Sequence, residues 1–444
     1  MSKRIGLITV LIVLALYVNA QQKLNVPEVD KTSYELFQQK KWKELIDYAD
    51  RAREDGIDFF YLKARTGIAF YNLKRYREAA DWFLQAWEDD RSFDWLQEYL
   101  YYSLVFGGRA SEASKIADNF LPGVKEKIGF AGDKTLRVAF EAGYSFNPDF
   151  EELTAGSHGQ DAGTGENYGE AFYLKNYHFE SFDLSHRISP GLTLYHNFSY
   201  IGLNREERID WGAEHRSYPV NINQFHYFIN PQFIIGEKFY VAPSASFILG
   251  NYELTLGRLS NNQSKTFNSS YSSFSDFIFS TAFWSHFGNF SPGGEVALAN
   301  INNAGFSQLS AWITWYPFSN LNFYLTPRIY FKGNAENSLN YNTFGISGGL
   351  QLGIAHLYAN YLNGEMENFI ESGGYIVANF PGTSQQKFSG SIYLPAGKKY
   401  QFVFRFISQD ITEKYLVYIN GIRSSELQYD YIKNTITAGI SWNF

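Results

Sequence analysis

The 444-residue chain contains no cysteine. That excludes disulfides, a thiol nucleophile and a lipidated N-terminal Cys. After residue 20 no apolar run approaches the roughly 18 consecutive residues that mark a transmembrane helix, so a helical membrane protein is excluded. An excess of positive charge is also missing. The 38 Lys and Arg are outnumbered by 45 Asp and Glu, and a net charge of -7 argues against general nucleic-acid binding. Neither GxSxG nor HExxH occurs, so a serine-hydrolase elbow and a zincin helix are not encoded. No enzyme, cofactor or metal site is expected.

Aromatic residues are abundant instead. They make up 18% of the chain, with 40 Phe and 33 Tyr, yet mean hydropathy is only -0.29. High aromatic content with weak hydropathy suits a transmembrane barrel, where lipid-facing and lumen-facing residues alternate and average out. Phe306–Phe331 shows the pattern best. Leu309, Ala311, Ile313 and Trp315 share one face; after the Pro317–Asn320 break, Leu321, Phe323, Leu325, Pro327, Ile329 and Phe331 share another run. Alternation across a short turn is a β-hairpin, and arms of about 11 residues cross a bilayer when tilted.

Along the chain, residues 1–20 read as a secretory signal: Lys3 and Arg4, an apolar run, then the small-residue exit Val18-Asn19-Ala20. Residues 21–30 read as a linker. Residues 31–127 change to helical spacing with a 34-residue period: Trp42, Tyr76 and Ala110 are 34 apart, as are Leu45, Ala79 and Ala113. Gly67, Phe70, Tyr76, Ala79, Phe83 and Ala86 follow the small and large packing order of tetratricopeptide repeats, which this segment resembles. That resemblance implies a periplasmic helical domain whose concave face recruits an unidentified protein partner.

Residues 128–444 hold fourteen alternating runs, the weakest at 293–302 and 356–366. Short connections such as Ser189-Pro190-Gly191 and Pro395–Lys398 alternate with long ones such as Pro148–Gly169, Asn251–Ser270, Phe369–Thr383 and Thr412–Asp430. Short periplasmic turns and long external loops are the asymmetry of outer-membrane barrels. Phe444, Trp442 and Ile440 end the last strand. They resemble the C-terminal signature read by the barrel assembly machinery, implying that machinery and outer-membrane lipid as partners. The expected fold is α+β and multidomain: tetratricopeptide-like helices, then an antiparallel transmembrane barrel of about fourteen strands, within a range of twelve to sixteen.

Parity assigns inward residues. The charged set is Arg137, Glu141, Lys175, Asp183, Arg187, Asp276, Arg328, Lys387, Arg405 and Lys433, in which seven basic residues face three acidic ones. Arg137, Arg187, Arg328, Arg405 and Lys433, with Trp312, Tyr324 and Tyr330, are the candidate lumen-lining residues. A net-positive lumen favours anionic solutes. His226, His286 and His356 are also inward, but Asp276 and His286 are ten residues apart on one strand, too far for a catalytic contact.

Signal, repeats and barrel together resemble the YaiO-like outer-membrane proteins in architecture, without a diagnostic motif. Exopolysaccharide exporters and surface-lipoprotein assembly modifiers share the plan. These readings imply an outer-membrane pore for an envelope polymer or an anionic solute. The alternatives are a non-conducting assembly scaffold and, third, a lipid-modifying enzyme.

Overall fold

A computed structural model of the chain describes residues 23–130, 135–155, 168–212, 214–236, 238–259, 265–334, 340–380, 382–397, 399–419 and 422–444. The expected signal at 1–20 lies outside the described residues. The chain divides into two compact units, one of residues 1–113 and 120–128, the other of residues 114–119 and 129–444.

The first unit is α-helical. Its helices are α1 (Val26–Gln38), α2 (Trp42–Glu54), α3 (Phe60–Asn72), α4 (Tyr76–Asp89), α5 (Asp94–Phe106), α6 (Ala110–Ala117, shared with the second unit) and α7 (Pro122–Lys127). Helix α1 begins inside the segment read as a linker. Asn25 caps it, its side chain accepting from the Glu28 N–H at 3.1 Å, and a proline sits in the first turn, where a missing N–H costs nothing. Leu45, Ala49, Ala79, Phe83, Ala86, Leu96 and Leu104 fill the core. Gly67 lets the Phe83 ring press against its helix, within 2.6 Å of where a Cβ would stand.

The 34-residue period has a simple origin. Three left-handed turn residues, Lys40, Lys74 and Gly108, close three helical hairpins of equal length. Equal hairpin length alone generates the spacing, because any short helix–turn–helix unit repeated at that length does so. The tetratricopeptide assignment, and the protein partner inferred from it, are therefore corrected to an α-helical domain built of hairpins. The partner surface rested on the family resemblance and on no residue pattern of its own.

Arg109 pins this unit. It is buried and pairs with Glu112 at 2.6 Å and Asp81 at 2.9 Å. Arg77, also buried, donates to the Gly107 carbonyl at 3.0 Å.

The second unit is a closed antiparallel barrel. In chain order its strands are β1 (Thr135–Phe146), β2 (Tyr168–Ser189), β3 (Leu192–Trp211), β4 (Glu214–Ile235), β5 (Phe239–Leu259), β6 (Lys265–Ser285), β7 (Phe290–Ile301), β8 (Ala304–Trp315), β9 (Phe323–Asn334), β10 (Asn340–Leu352), β11 (Ala355–Gly364), β14 (Gln386–Ala396), β15 (Tyr400–Ile419) and β16 (Ile422–Asn443). Between β11 and β14, the short strands β12 (Phe369–Glu371) and β13 (Ile376–Ala378) form a separate hairpin. The fourteen wall strands pair in sequence, and β1 closes the ring against β16, from Arg137 opposite Asn443 to Phe146 opposite Asn434. The outer face carries Phe140, Phe182, Phe198, Phe225, Phe247, Phe279, Leu298, Ile313, Phe331, Phe344, Ile392, Phe404, Ile436 and Trp442, all exposed. A belt of this chemistry on a ring without edges is what lipid requires.

Two long loops expected from the sequence are strand instead. Much of 251–270 continues β5 and β6, and much of 412–430 continues β15 and β16. In the continuation of β15 the apolar residues Tyr415–Ile419 are consecutive rather than alternating, so the period-two signal fades while the ladder continues. The wall is thus uneven: β2–β6, β15 and β16 are 20–22 residues long, whereas β7–β11 and β14 are 10–13.

Arg109→Ala strands the fully buried Glu112 carboxylate and is expected to lower stability by about 3–5 kcal/mol. Helical ellipticity at 222 nm should melt at lower temperature while the barrel keeps its heat-modifiable gel mobility.

Candidate functional site: a lumen crossed by its own loop

The strand ends Ser189 and Leu192, and Ala396 and Tyr400, lie at the end where the chain enters β1; the chain after Gly364 leaves the wall at the opposite end and rejoins it at Gln386. That connection carries the β12–β13 hairpin, and the hairpin sits inside the barrel. The sequence places it there by chemistry rather than by length. Within 366–380, Met366, Phe369, Ile370, Tyr375, Val377 and Phe380 provide bulk. The wall provides small polar residues opposite.

Backbone groups in a lumen need partners, and the wall supplies them. The Gln308 amide clamps Ile370 twice, donating to its carbonyl at 2.6 Å and accepting from its N–H at 3.2 Å. Ser244 and Ser246 donate to the Gly373 and Gly374 carbonyls at 2.7 and 2.6 Å. Asn379 donates to Gln224 at 2.9 Å and Asp276 at 3.1 Å; Tyr375 donates to Asp183 at 3.0 Å. Lys387 pairs with Glu371, and Lys332 donates to the Glu367 carbonyl. Ile248, Ile278 and Phe306 pack on Ile370, while Tyr330, Leu362, Met366 and Phe369 form a smaller apolar group. The hairpin is rooted at two glycines with positive φ, Gly364 (+136°) and Gly382 (+109°). A Cβ at either would meet Asn342 O at 2.4 Å or Glu413 Cγ at 2.6 Å, so both the conformation and the space exclude a side chain.

The mouth beyond the hairpin is also filled. Where β1 ends, Leu416–Tyr418 of β15 pair directly with Tyr168–Glu170 of β2. Tyr173, Tyr177, Leu203, Ile411, Tyr415, Tyr429 and Tyr431 form an apolar core there with Phe150 and Leu153 from α8 (Phe150–Ala155). A buried Arg205–Glu413 pair lies within it. Glu413 accepts from Tyr429 at 3.1 Å and Tyr431 at 2.7 Å.

The eight residues selected from the sequence do not form one cluster. Arg405 is ion-paired to Glu141 at 3.1 Å and donates to Ser391 at 3.0 Å. Arg137 lines a cavity with Glu141, Asp183, Tyr375, Tyr393 and Arg405. Arg187 is engaged near the short-turn end, donating to Ser114 at 2.9 Å, 3.5 Å from Asp118. Arg328 lies 4.3 Å over the Trp312 ring, and Trp312 itself lies across Gly293. Tyr324 stacks on His356 at 5.9 Å; Tyr330 is 4% exposed and meets Phe369 edge-on at 4.8 Å. Lys433 is 5% exposed and rests against Tyr177 and Phe380. The three inward histidines are dispersed: His286 contacts Ser291 at 2.7 Å, His356 stacks on Tyr324, and His226 lines the central cavity. Asp276 anchors Asn302 N and Asn379 rather than His286. Among the described residues no group of three or more His, Cys, Asp or Glu is arranged for a metal.

Sequence reading treated Phe369–Thr383 as an external loop and so missed Gln308, Ser244, Ser246 and Asn379. The available signal was the row of small hydroxyl residues on an inner face, Ser244, Ser246 and Ser280, where a barrel core would carry bulk.

Gln308→Leu leaves both Ile370 backbone groups unpaired, at about 1–3 kcal/mol each. Amide hydrogen exchange across 369–378 is expected to accelerate about tenfold or more, with the wall strands unchanged.

No family model matches the chain, and no curated protein matches it. Solved structures do. A Pseudomonas aeruginosa FadL homologue has 7% identity over 70% of this chain and 90% of its own, with a TM-score of 0.44. The Pseudomonas putida toluene transporter TodX has 8% identity over 71% and 91%, at 0.42. The Ralstonia pickettii toluene transporter TbuX has 8% identity over 71% and 91%, at 0.44. Likenesses at this level carry neither substrate nor mechanism to this chain. The YaiO-like identification, its tetratricopeptide module and the periplasmic partner tied to it gain no matching model, and the structures above are a FadL homologue and two toluene transporters; these three readings are withdrawn. Among the described residues the chain is a fourteen-stranded, antiparallel, closed β-barrel with an N-terminal α-helical domain.

Proposed function

We propose that the protein is a gated transport barrel for small anionic solutes, with the hairpin at 366–380 as its gate and the helical domain in the periplasm. One observation carries the reading: the hairpin is tied to the wall mostly by hydrogen bonds and one ion pair, Lys387–Glu371, rather than by a continuous apolar core. Such bonds contribute about 0.5–1.5 kcal/mol each net when replacement partners are supplied, so a solute or a partner that supplies them can shift the balance. Cavities beside the hairpin are of small-molecule size, which favours a solute over an envelope polymer. In the central cavity Lys387, Arg405 and Lys433 outnumber Glu141 and Glu371, a positive excess that favours an anion, whereas Arg137 and Arg405 in the neighbouring cavity are balanced by Glu141 and Asp183. The periplasmic placement follows from the end at which the chain enters β1, the end with the short turns.

The tyrosine-filled mouth favours a second reading, a non-conducting scaffold. One experiment separates the two. Residues 366–380 are replaced by a short glycine–serine linker, and the full chain is studied in planar bilayers. A gate predicts a silent parent and discrete openings in the variant, larger for anions than for cations of equal size. If the variant stays silent even after Tyr415 and Tyr429 are cut back to alanine, the scaffold reading replaces the channel.

A further inference from the structure

We propose that the cavity between the hairpin and the wall binds a small organic monocarboxylate, with Lys433 as its charge partner. This rests on the channel reading and names the solute class. The cavity measures about 200 Å³, against about 150 Å³ for a cavity that holds benzene. It is lined by Tyr177, Phe179, Phe369, Val377 and Phe380 on its apolar side, and by Lys433, Lys387, Arg405, Glu141, Glu371 and His226 on its polar side.

The charges of this cavity do not cancel. Glu371 is taken by Lys387 and Glu141 by Arg405. Lys433 remains. It is 5% exposed, and among the described residues its ammonium has no hydrogen-bond acceptor and no carboxylate within ion-pair distance. Its neighbours are ring faces, Phe380 at 5.0 Å and Tyr177 at 5.8 Å. Ring faces offset part of the cost of burying a cation, not all of it. The Nε2 atom of His226, buried in the same cavity, also has no partner among the described residues. An ammonium without an ion partner among the described residues thus faces this space beside the Tyr177 and Phe380 rings.

A carboxylate completes that arrangement. Its oxygens accept from the Lys433 ammonium, and its apolar body lies against the stacked pair Tyr177–Phe380, whose centroids are 5.6 Å apart. An inorganic anion gains the charge contact but wets the apolar side. A neutral ring gains the walls but leaves the ammonium unpaired. A long acyl chain exceeds the volume.

Benzoate is the probe, titrated calorimetrically into the full-length protein in detergent micelles, with toluene and inorganic phosphate in parallel. One-site binding of benzoate is expected, at least tenfold tighter than either comparison. Lys433→Met should weaken benzoate at least tenfold and leave toluene unchanged. Lys433→Arg should retain benzoate binding. Loss of a buried unpaired charge does not endanger folding, and heat-modifiable mobility verifies each variant. Equal binding of toluene and benzoate, indifference to Lys433→Met, or phosphate binding as tight as benzoate each overturns the proposal. The two readings fail separately. Benzoate binding without conductance in the linker variant removes the channel and keeps the site; conductance without benzoate binding does the reverse.

Discussion

Lipid offers a peptide group no hydrogen-bond partner, and everything else in the barrel follows from that constraint. Fourteen strands satisfy it only as a ring, so the pairing of β1 with β16 is the condition under which the other thirteen seams exist. The same constraint operates inside. A loop that enters the lumen carries its own amides and carbonyls, and it can stay only where side chains meet them. Gln308, Ser244, Ser246 and Asn379 are those side chains, and they fix both the depth and the orientation of the hairpin.

Lumen and mouth solve different problems. The hairpin layer is stitched by neutral amides and hydroxyls, each worth little net. The mouth is closed by a tyrosine-rich core around the Arg205–Glu413 pair, where every ring hydroxyl near Glu413 helps to hold a charge that burial would otherwise make costly. A polar layer that water can replace lies beneath a packed layer that water cannot. On the gate reading, passage needs two distinct rearrangements in series, unlike in energetic character.

The belt was legible in the sequence because its residues obey period two without exception over short spans. Leu309, Ile313, Trp315 and Phe331 needed only parity. Strand ends were less legible. Beyond the belt strict alternation stops, as in the consecutive apolar run Tyr415–Ile419, while the ladders of β5, β6, β15 and β16 run on. The hairpin was not legible at all, since its anchors are scattered over β4, β5, β6 and β8 and meet only after closure. The helical unit taught the opposite lesson. Its 34-residue period was plain, but the period measures hairpin length, and three left-handed turns at Lys40, Lys74 and Gly108 account for it without a family. Among the candidate lumen residues, parity carried no information on which already had an ion partner: Arg405 has one in Glu141, and Lys433 has none among the described residues.

The uneven height of the wall has a mechanical consequence. A ribbon of 20–22 paired residues bends far less readily than one of 10–13, so β2–β6 form a stiff flank. The stems at Gly364 and Gly382 hang from the opposite, low flank, where β11 and β14 are short. Elastic compliance is therefore concentrated at the root of the inserted segment.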